Sequence, residues 1–323
     1  MKKNYTIPIE QNKIDQLYNL WLNNGYDSIN DIDIVEEHLN GIEKNISEIK
    51  LYTFETPTFI ESSCITIYDK NLPVLAGLGE VCTEINSRGN GFAGKLCSIA
   101  RDDFFSKNSA EAIFLGTINP KAQKIYENLG WVKIPRSKIM FNSKKGESFE
   151  DFINNYYTKT ENSDIFINNG SPKFRISLIP YFFSQISNHN IDLNAYIIGN
   201  NYSSMCLSLY NKFDQITKNK GQWFVMTDHI NKIYSTSSFK TISKDILRLD
   251  GTYKKGYEKY FIELLKNNLT AIDLLDSQRI ICEVFNNDKD KIEIFRELGF
   301  RESYNNEIEG YKREENFKIL EIK

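Results

Sequence analysis

The chain has 323 residues, 26% of them charged, 41% hydrophobic and 13% aromatic, with a formal net charge of -3. At roughly 100–200 residues per domain this leaves room for two or three domains, and the mix excludes a disordered chain or a fibre. The near-neutral balance argues against a nucleic-acid binder, whose footprint is basic, and no run approaches the roughly 20 apolar residues of a membrane span.

The start, MKKNYTIPIEQNK, has a basic end without an apolar core and reads as no secretion signal. Five scattered cysteines (Cys64, Cys82, Cys97, Cys206, Cys282) form no C-x-x-C pair, and only three histidines accompany them. The expectation is no metal site, a reducing compartment and a cytoplasmic protein.

Along the first half, Tyr5–Ile9 is expected to be a short strand. Ile14, Leu17, Leu20 and Trp21 recur at helical spacing, as do Ile34, Val35, His38, Leu39 and Ile42. Leu51–Phe54, Cys64–Tyr68 and Val74–Thr83 read as strands, with a turn over residues 69–73. A glycine-rich loop leads into a helix with Phe92, Leu96, Ile99, Ala100 and Phe104 on one face. A strand over Ala112–Thr117 precedes a helix carrying Ala122, Ile125, Tyr126 and Leu129, which Gly130 ends as C-cap. Lys138–Phe141 closes the series. The alternation implies an α/β (α+β) layer fold.

Residues 143–172 change character and read as a linker with one docked helix, Phe149–Tyr157. That places domains at 1–142 and 173–323. In the second, Phe174–Ile179 reads as a strand and Met205, Leu209 and Phe213 as a helix. Trp223–Met226, Ile233–Thr236 and Ile246–Leu249 follow as strands, then a helix over Tyr257–Leu265, a strand over Ile280–Phe285 and a helix over Asp290–Leu298 ended by Gly299. Residues 125–131 (IYENLGW) resemble 294–300 (IFRELGF), and Lys-Gly-Tyr at 255–257 falls where Asn-Gly-Phe at 90–92 does. Together they indicate a tandem duplication.

The segment Arg88-Gly89-Asn90-Gly91-Phe92-Ala93-Gly94-Lys95, between a strand and a helix, has the makings of an anion site: glycines admit close approach, and free amides at a helix start carry partial positive charge. Three phosphate-loop patterns fit its letters. Gly89, Gly91 and Gly94 spell the dinucleotide fingerprint, but Ser109 stands where an acidic residue should follow about 20 positions on. Gly89 to Lys95 fits the P-loop, but Leu96 replaces the Ser or Thr that ligates magnesium.

The third pattern is R-x-x-G-x-A, from Arg88, Gly91 and Ala93. Downstream, Asn119, Ala122, Tyr126, Gly130 and Trp131 spell N-x-x-A-x-x-x-Y-x-x-x-G-[FW]. Together these resemble the GNAT N-acyltransferase superfamily, strongly over about residues 1–142 and weakly over 173–310. The resemblance implies a GNAT fold, a mixed and mostly antiparallel central sheet flanked by helices, here in two tandem copies. It implies acetyl-CoA as co-substrate, no metal and an amine acceptor, without nucleic acid or membrane. By the same resemblance, Val81, Cys82 and Thr83 would hold the pantetheine arm between splayed strands, and residues 89–94 (Gly89, Asn90, Gly91, Phe92, Ala93, Gly94) would cradle the pyrophosphate beside Arg88. Asn119 and Ala122 would touch the cofactor near its sulfur, and Tyr126 would be the general acid. Tyr126 also shares a helical face with Ala122 and Leu129, as a core tyrosine would.

A base is needed because a lysine-like amine costs roughly 4–5 kcal/mol to deprotonate at pH 7. Glu80 and Glu84 are the nearest carboxylates; the position thirteen before Arg88, where the family often places a base, is Leu75. A strand Glu such as Glu80 more often faces solvent. His38, on an apolar helical face, reads as a satisfied imidazole, and Cys82 as packing. In the second copy Tyr253 replaces Arg88, Glu258 replaces Ala93 and Phe295 replaces Tyr126, so the anion loop and the acid are lost together. The expected activity is direct N-acetyl transfer by the first copy. The alternatives are a non-catalytic coenzyme A-binding or scaffold protein and a nucleotide-binding enzyme. Oligomeric state and the acceptor stay open.

Overall fold

The computed structural model describes residues 1–26, 28–158, 164–184, 191–273, 279–303, 307–308, 311–312 and 316–322. They fall into two compact units. The first takes Met1–Lys159, Pro172–Pro180 and Ser203–Tyr210; the second takes Thr160–Ser171, Tyr181–Tyr202 and Asn211–Lys323.

Unit 1 runs β1 (Lys2–Thr6), α1 (Gln11–Asn24), α2 (Glu36–Leu39), β2 (Ser47–Glu55), β3 (Ile60–Asp69), β4 (Leu75–Thr83), α3 (Phe92–Phe105), β5 (Ala112–Gly116), α4 (Pro120–Glu127), β6 (Val132–Lys133), β7 (Ile139–Ser143) and α5 (Phe149–Thr158). Its seven-stranded sheet has the order β1-β2-β3-β4-β5-β7-β6. Every pairing is antiparallel except β4 with β5, which are parallel over three residue pairs, Leu75↔Ala112 to Gly77↔Phe114. Beyond Gly77 the two strands part. Strand β3 is buried over most of its length, as a central strand covered on both faces must be. On one face α3 buries Leu96, Cys97, Ala100 and Phe104 against Cys64, Ala76 and Leu78; burying a large apolar side chain contributes about 1.5–3 kcal/mol. Helix α1 buries Ile14, Leu17, Leu20 and Trp21, and the Trp21 indole donates to Ser63 Oγ (2.9 Å).

Unit 1 extends past residue 142 because α5 is buried on Phe141: the Phe149 and Phe152 rings lie 5.4 and 5.0 Å from it. Two later segments return to it. Arg175 is buried, donates to Glu43 Oε1 (2.6 Å) and stacks on the Tyr210 ring (4.0 Å). Burial would raise the Glu43 carboxyl, but His38 and Arg175 outweigh it and hold it at about 2. The Lys138 amide donates to Ser203 O (2.7 Å).

Unit 2 contains β8 (Phe166–Asn169), α6 (Leu178–Phe183), which begins in unit 1, α7 (Ser208–Lys218), which does likewise, then β9 (Gln222–Thr227), β10 (Ile233–Ser243), β11 (Ile246–Tyr253), α8 (Glu258–Ala271), β12 (Arg279–Phe285), α9 (Lys289–Glu297), β13 (Arg301–Glu302), β14 (Glu307–Ile308), β15 (Tyr311–Lys312) and β16 (Phe317–Ile322). Its main sheet has the order β8-β9-β10-β11-β12-β16-β13, and β14 pairs with β15 apart from it. Strand for strand this repeats unit 1. The parallel pair recurs at β11 and β12, again over three residue pairs, and again the strands part after it. Gly130 and Gly299 end α4 and α9 in the same left-handed conformation (φ +90° and +95°). The expected fold class, a mixed and mostly antiparallel sheet flanked by helices in two tandem copies, is the one observed.

Four local expectations need correction. Strand β1 lies at Lys2–Thr6 instead of Tyr5–Ile9; Pro8, with no amide hydrogen, suits the stretch after it. The pattern from Ile34 to Ile42 makes only one helical turn, α2, and Ile42 is exposed. Phe174–Ile179 is no strand: a 3-10 turn over Pro172–Phe174 leads into α6, and tertiary packing overrides the alternation. Met205 precedes α7, although Leu209 and Phe213 lie on it.

Candidate active site

Where β4 and β5 part, unit 1 opens a cleft of about 960 Å³, within the size of small-molecule sites. Gly79 to Thr83 form one wall, Leu115 to Asn119 the other, and Arg88 to Gly94 the mouth. Ala122 and Tyr126 of α4 also line it, as do Asn24, Gly25 and Tyr26 at the end of α1. Of the candidate catalytic and cofactor-binding residues named from the sequence, the cleft gathers all except Glu84 and Asn90.

The loop is built as an anion site. Gly89 and Gly91 have φ of +85° and +72°, which an L side chain adopts only at a cost. Helix α3 starts on Gly91 with no side-chain cap, and Lys95 N to Gly91 O (3.0 Å) is its first turn of bonding. The amides of Phe92, Ala93 and Gly94 therefore have no intrahelical acceptor. The Arg88 guanidinium braces the loop, donating to Thr83 O (3.1 Å) and Asn24 O (2.5 Å), and keeps its charge at the mouth. Along β4, Leu78 to Thr83 have no strand partner on the β5 side, so an extended arm meets free backbone there. Free edge amides, an uncapped helix start and a fixed cation suit a pantetheine diphosphate, so these residues fit coenzyme A.

Glu80 is not the solvent-facing strand residue that alternation suggests. It is 4% exposed, with a left-handed φ of +50° that turns its side chain toward the α1 face of the sheet. Its Oε1 accepts the amides of Asp33 (2.9 Å) and Ile34 (3.0 Å), and its Oε2 is buried with no hydrogen-bond partner. Burial raises its pKa, although the Tyr26 phenol and those two amides pull it down. Asp33 is the neighbour sequence reasoning missed. Its carboxyl is pushed up to about 7, first by burial and then by Glu80, with Arg175 and the Ser208 amide pulling the other way. Nothing in the local sequence marks Asp33, since its burial depends on segments far along the chain.

Tyr126 is 5% exposed, its ring set against Trp131 at 6.2 Å. Burial, then Cys97 and Cys64, raise its phenol well above 10, so it stays protonated. Asn119 caps α4, its Oδ1 accepting from Lys121 N (2.9 Å) and Ala122 N (3.4 Å). Glu84 instead caps a turn, bound to the amides of Asn86 and Ser87 (2.7 and 3.0 Å). His38 is satisfied by Val35 N (3.2 Å) and Glu43 (3.1 Å), and Cys82 is packed on α1 with its thiol toward Leu20 O. Among the described residues no three His, Cys, Asp or Glu are placed to hold a metal ion, and no helix is long and apolar enough to cross a membrane.

In unit 2 the matching place is stitched together. Counted from the parallel pairs and from the two C-cap glycines, Asp250 stands where Gly79 does and Lys291 where Ala122 does. Lys291 Nζ donates to Asp250 Oδ1 (2.7 Å), Gly251 O (2.7 Å) and Ile191 O (2.9 Å), all buried. Asp192 lies in the same cluster; burial and Asp250 push its carboxyl up to about 7. At the start of α8, Glu258 Oε1 accepts the Gly256 amide (2.9 Å), so a carboxylate occupies the anion position. Phe295 is fully buried on Phe300. The second copy is degenerate at all three points.

No family model matches the chain, nor does any curated protein. It is similar to GNAT acetyltransferases of known structure over about half its length. One is a GNAT-family acetyltransferase from Staphylococcus aureus Mu50 (18% identity, 44% of this chain and 99% of that one, TM-score 0.35). Another is the GNAT domain of S. lividans PAT (12% identity, 48% and 88%, TM-score 0.37). A third is the Vibrio cholerae spermidine N-acetyltransferase, solved with CoA and spermine (18% identity, 44% and 96%, TM-score 0.34).

Proposed function

We propose that unit 1 is an N-acyltransferase that uses a coenzyme A thioester, acetyl-CoA by the sequence resemblance, and an amine acceptor, with direct transfer between them. The observation that carries this reading is the cleft itself: one opening joins uncapped helix amides, an unpaired strand edge, a buried carboxylate and a protonated phenol. The bound thioester supplies an activated acyl carbon and a thiolate leaving group. The strand-edge amides from Val81 to Thr83 hold the arm and donate toward the oxygen that gains charge; such preorganised donors are worth about 2.7–4 kcal/mol each. Glu80 Oε2, with no other partner, accepts the proton of the incoming amine. Burial keeps the basicity of Glu80 high. Tyr126 donates a hydrogen bond to the departing sulfur. A thiol titrates near 8.5, so complete proton transfer from a phenol held well above 10 is uphill, and charge stabilisation is its main contribution.

Calorimetric titration of the full chain with acetyl-CoA, ATP and NAD tests the assignment, followed by free-thiol release over a panel of amines. Binding of acetyl-CoA alone with amine-dependent thiol release supports it. Binding without release under any amine identifies a coenzyme A-binding protein instead, and ATP or NAD binding in its place refutes the reading. Tyr126→Phe should lower turnover while leaving acetyl-CoA affinity within about threefold; undiminished turnover removes Tyr126 from the mechanism.

A further inference from the structure

Three glycines stand side by side on the α1 face where β4 and β5 begin to part: Gly77 and Gly79 on β4 and Gly116 on β5. Their missing side chains are replaced mainly by Leu207 and Cys206 from Ser203–Tyr210, a segment of unit 1, with Ile176 also close at Gly77 (3.0 Å). A methyl group on Gly77 would stand 2.3 Å from Leu207 Cδ2, one on Gly79 2.7 Å from Leu207 Cδ1, and one on Gly116 3.1 Å from Cys206 Cβ. Leu207 and Cys206 are 2% and 5% exposed. Gly79 and Gly116 also line the cleft, and having no side chains they put Leu207 and Cys206 directly behind its wall.

We infer that Leu207, backed by Cys206, sets the length of acyl chain that unit 1 accepts. The inference rests on the acyltransferase reading, in which the thioester lies in the fork between β4 and β5 beside Glu80 and Tyr126. The acyl group has the apex of that fork as its room. Leu207 is apolar and buried and fills the space that Gly77 and Gly79 leave, with Cys206 beside Gly116, so a short acyl group fits and each further methylene must displace it. Close packing gives way little, and a single misfit methylene changes discrimination by about tenfold or more. This segment lies some 90 residues beyond β5 in the sequence, so no local motif marks it.

The test is calorimetric binding of coenzyme A, acetyl-CoA and hexanoyl-CoA to the full-length protein without amine, for wild type, Leu207→Ala and Leu207→Val. Wild type should bind acetyl-CoA at least about tenfold more tightly than hexanoyl-CoA. Leu207→Ala should shift that ratio by about tenfold or more toward hexanoyl-CoA, and Leu207→Val by less in the same direction, with affinity for coenzyme A itself unchanged. If the Ala variant does not fold, the Val variant decides. Equal binding of the two thioesters by wild type, or an unshifted ratio in the folded variants, overturns the inference and leaves the acyltransferase reading intact. No binding of coenzyme A by wild type overturns both.

Discussion

Glu80→Gln separates charge from shape more cleanly than most substitutions allow. Glu80 Oε1 accepts the amides of Asp33 and Ile34 at 2.9 and 3.0 Å, and a glutamine carbonyl accepts the same two bonds. Oε2 has no hydrogen bond to lose. The fold should therefore persist, and acetyl-CoA should bind with wild-type affinity, because the contacts proposed for it lie on the loop and the strand edge. Only the proton acceptor disappears. General-base catalysis contributes about 10²–10⁴-fold, so kcat for thiol release should fall by that factor, equivalent to roughly 3–5 kcal/mol of barrier. The pH dependence carries the sign. Burial raises the Glu80 pKa, so the active, ionised form accumulates as pH rises through that raised value. The wild-type rate should climb along this acidic limb to a plateau, and the Gln variant should lack the limb. A variant that keeps both its kcat and the limb would refute the assignment of Glu80 as base.

Gly91→Glu places a side chain on a residue with φ +72° and a carboxylate at the uncapped start of α3; acetyl-CoA affinity measured by calorimetry should fall at least about 100-fold, with a loss of roughly 1–2 kcal/mol in stability. Asp33→Asn should change how stability depends on pH. With its folded pKa raised from 3.8 to about 7, Asp33 contributes stability below the unfolded value that is lost as pH rises through about 7. Urea unfolding should show wild type losing up to roughly 4 kcal/mol relative to the variant between pH 4 and pH 8, whereas parallel pH curves would count against a raised Asp33 carboxyl. Lys291→Met removes the cation bonded to Asp250 and near Asp192, and unfolding of unit 2 at pH 7 should cost about 3–5 kcal/mol less than in wild type, with partial recovery in acid as Asp192 protonates.

The parts of the site that rest on local rules were legible in the sequence. Helix α3, its glycine entry and the C-cap at Gly130 each follow from a few adjacent residues, and the second copy could be aligned through Gly256 and Gly299 for the same reason. The parts that depend on distant chain were not. A left-handed φ at Glu80 is invisible in a strand-like run, and it changes which way the carboxylate points. Asp33 becomes unusual only through its burial and the nearby Glu80, and the groups that oppose the shift, Arg175 and Ser208, lie on distant segments as well. Strands β6, β13, β14 and β15 are two residues each, too short to show a period, and β16 follows a charged run. Phe174–Ile179 alternates as a strand does, yet Arg175 is drawn to Glu43 and the backbone turns instead.

The path of the chain through its two copies has a consequence for their history. A gene ending after Lys159 would encode neither Arg175, the partner of Glu43, nor Leu207, which rests on Gly77 and Gly79. The earlier copy thus borrows pieces encoded beyond its own end, and a recombination point anywhere between Lys159 and Tyr210 would take part of the half that kept an open groove. The later copy has surrendered its own groove to a lysine, yet the opening stretch of its coding sequence has to be inherited with its twin.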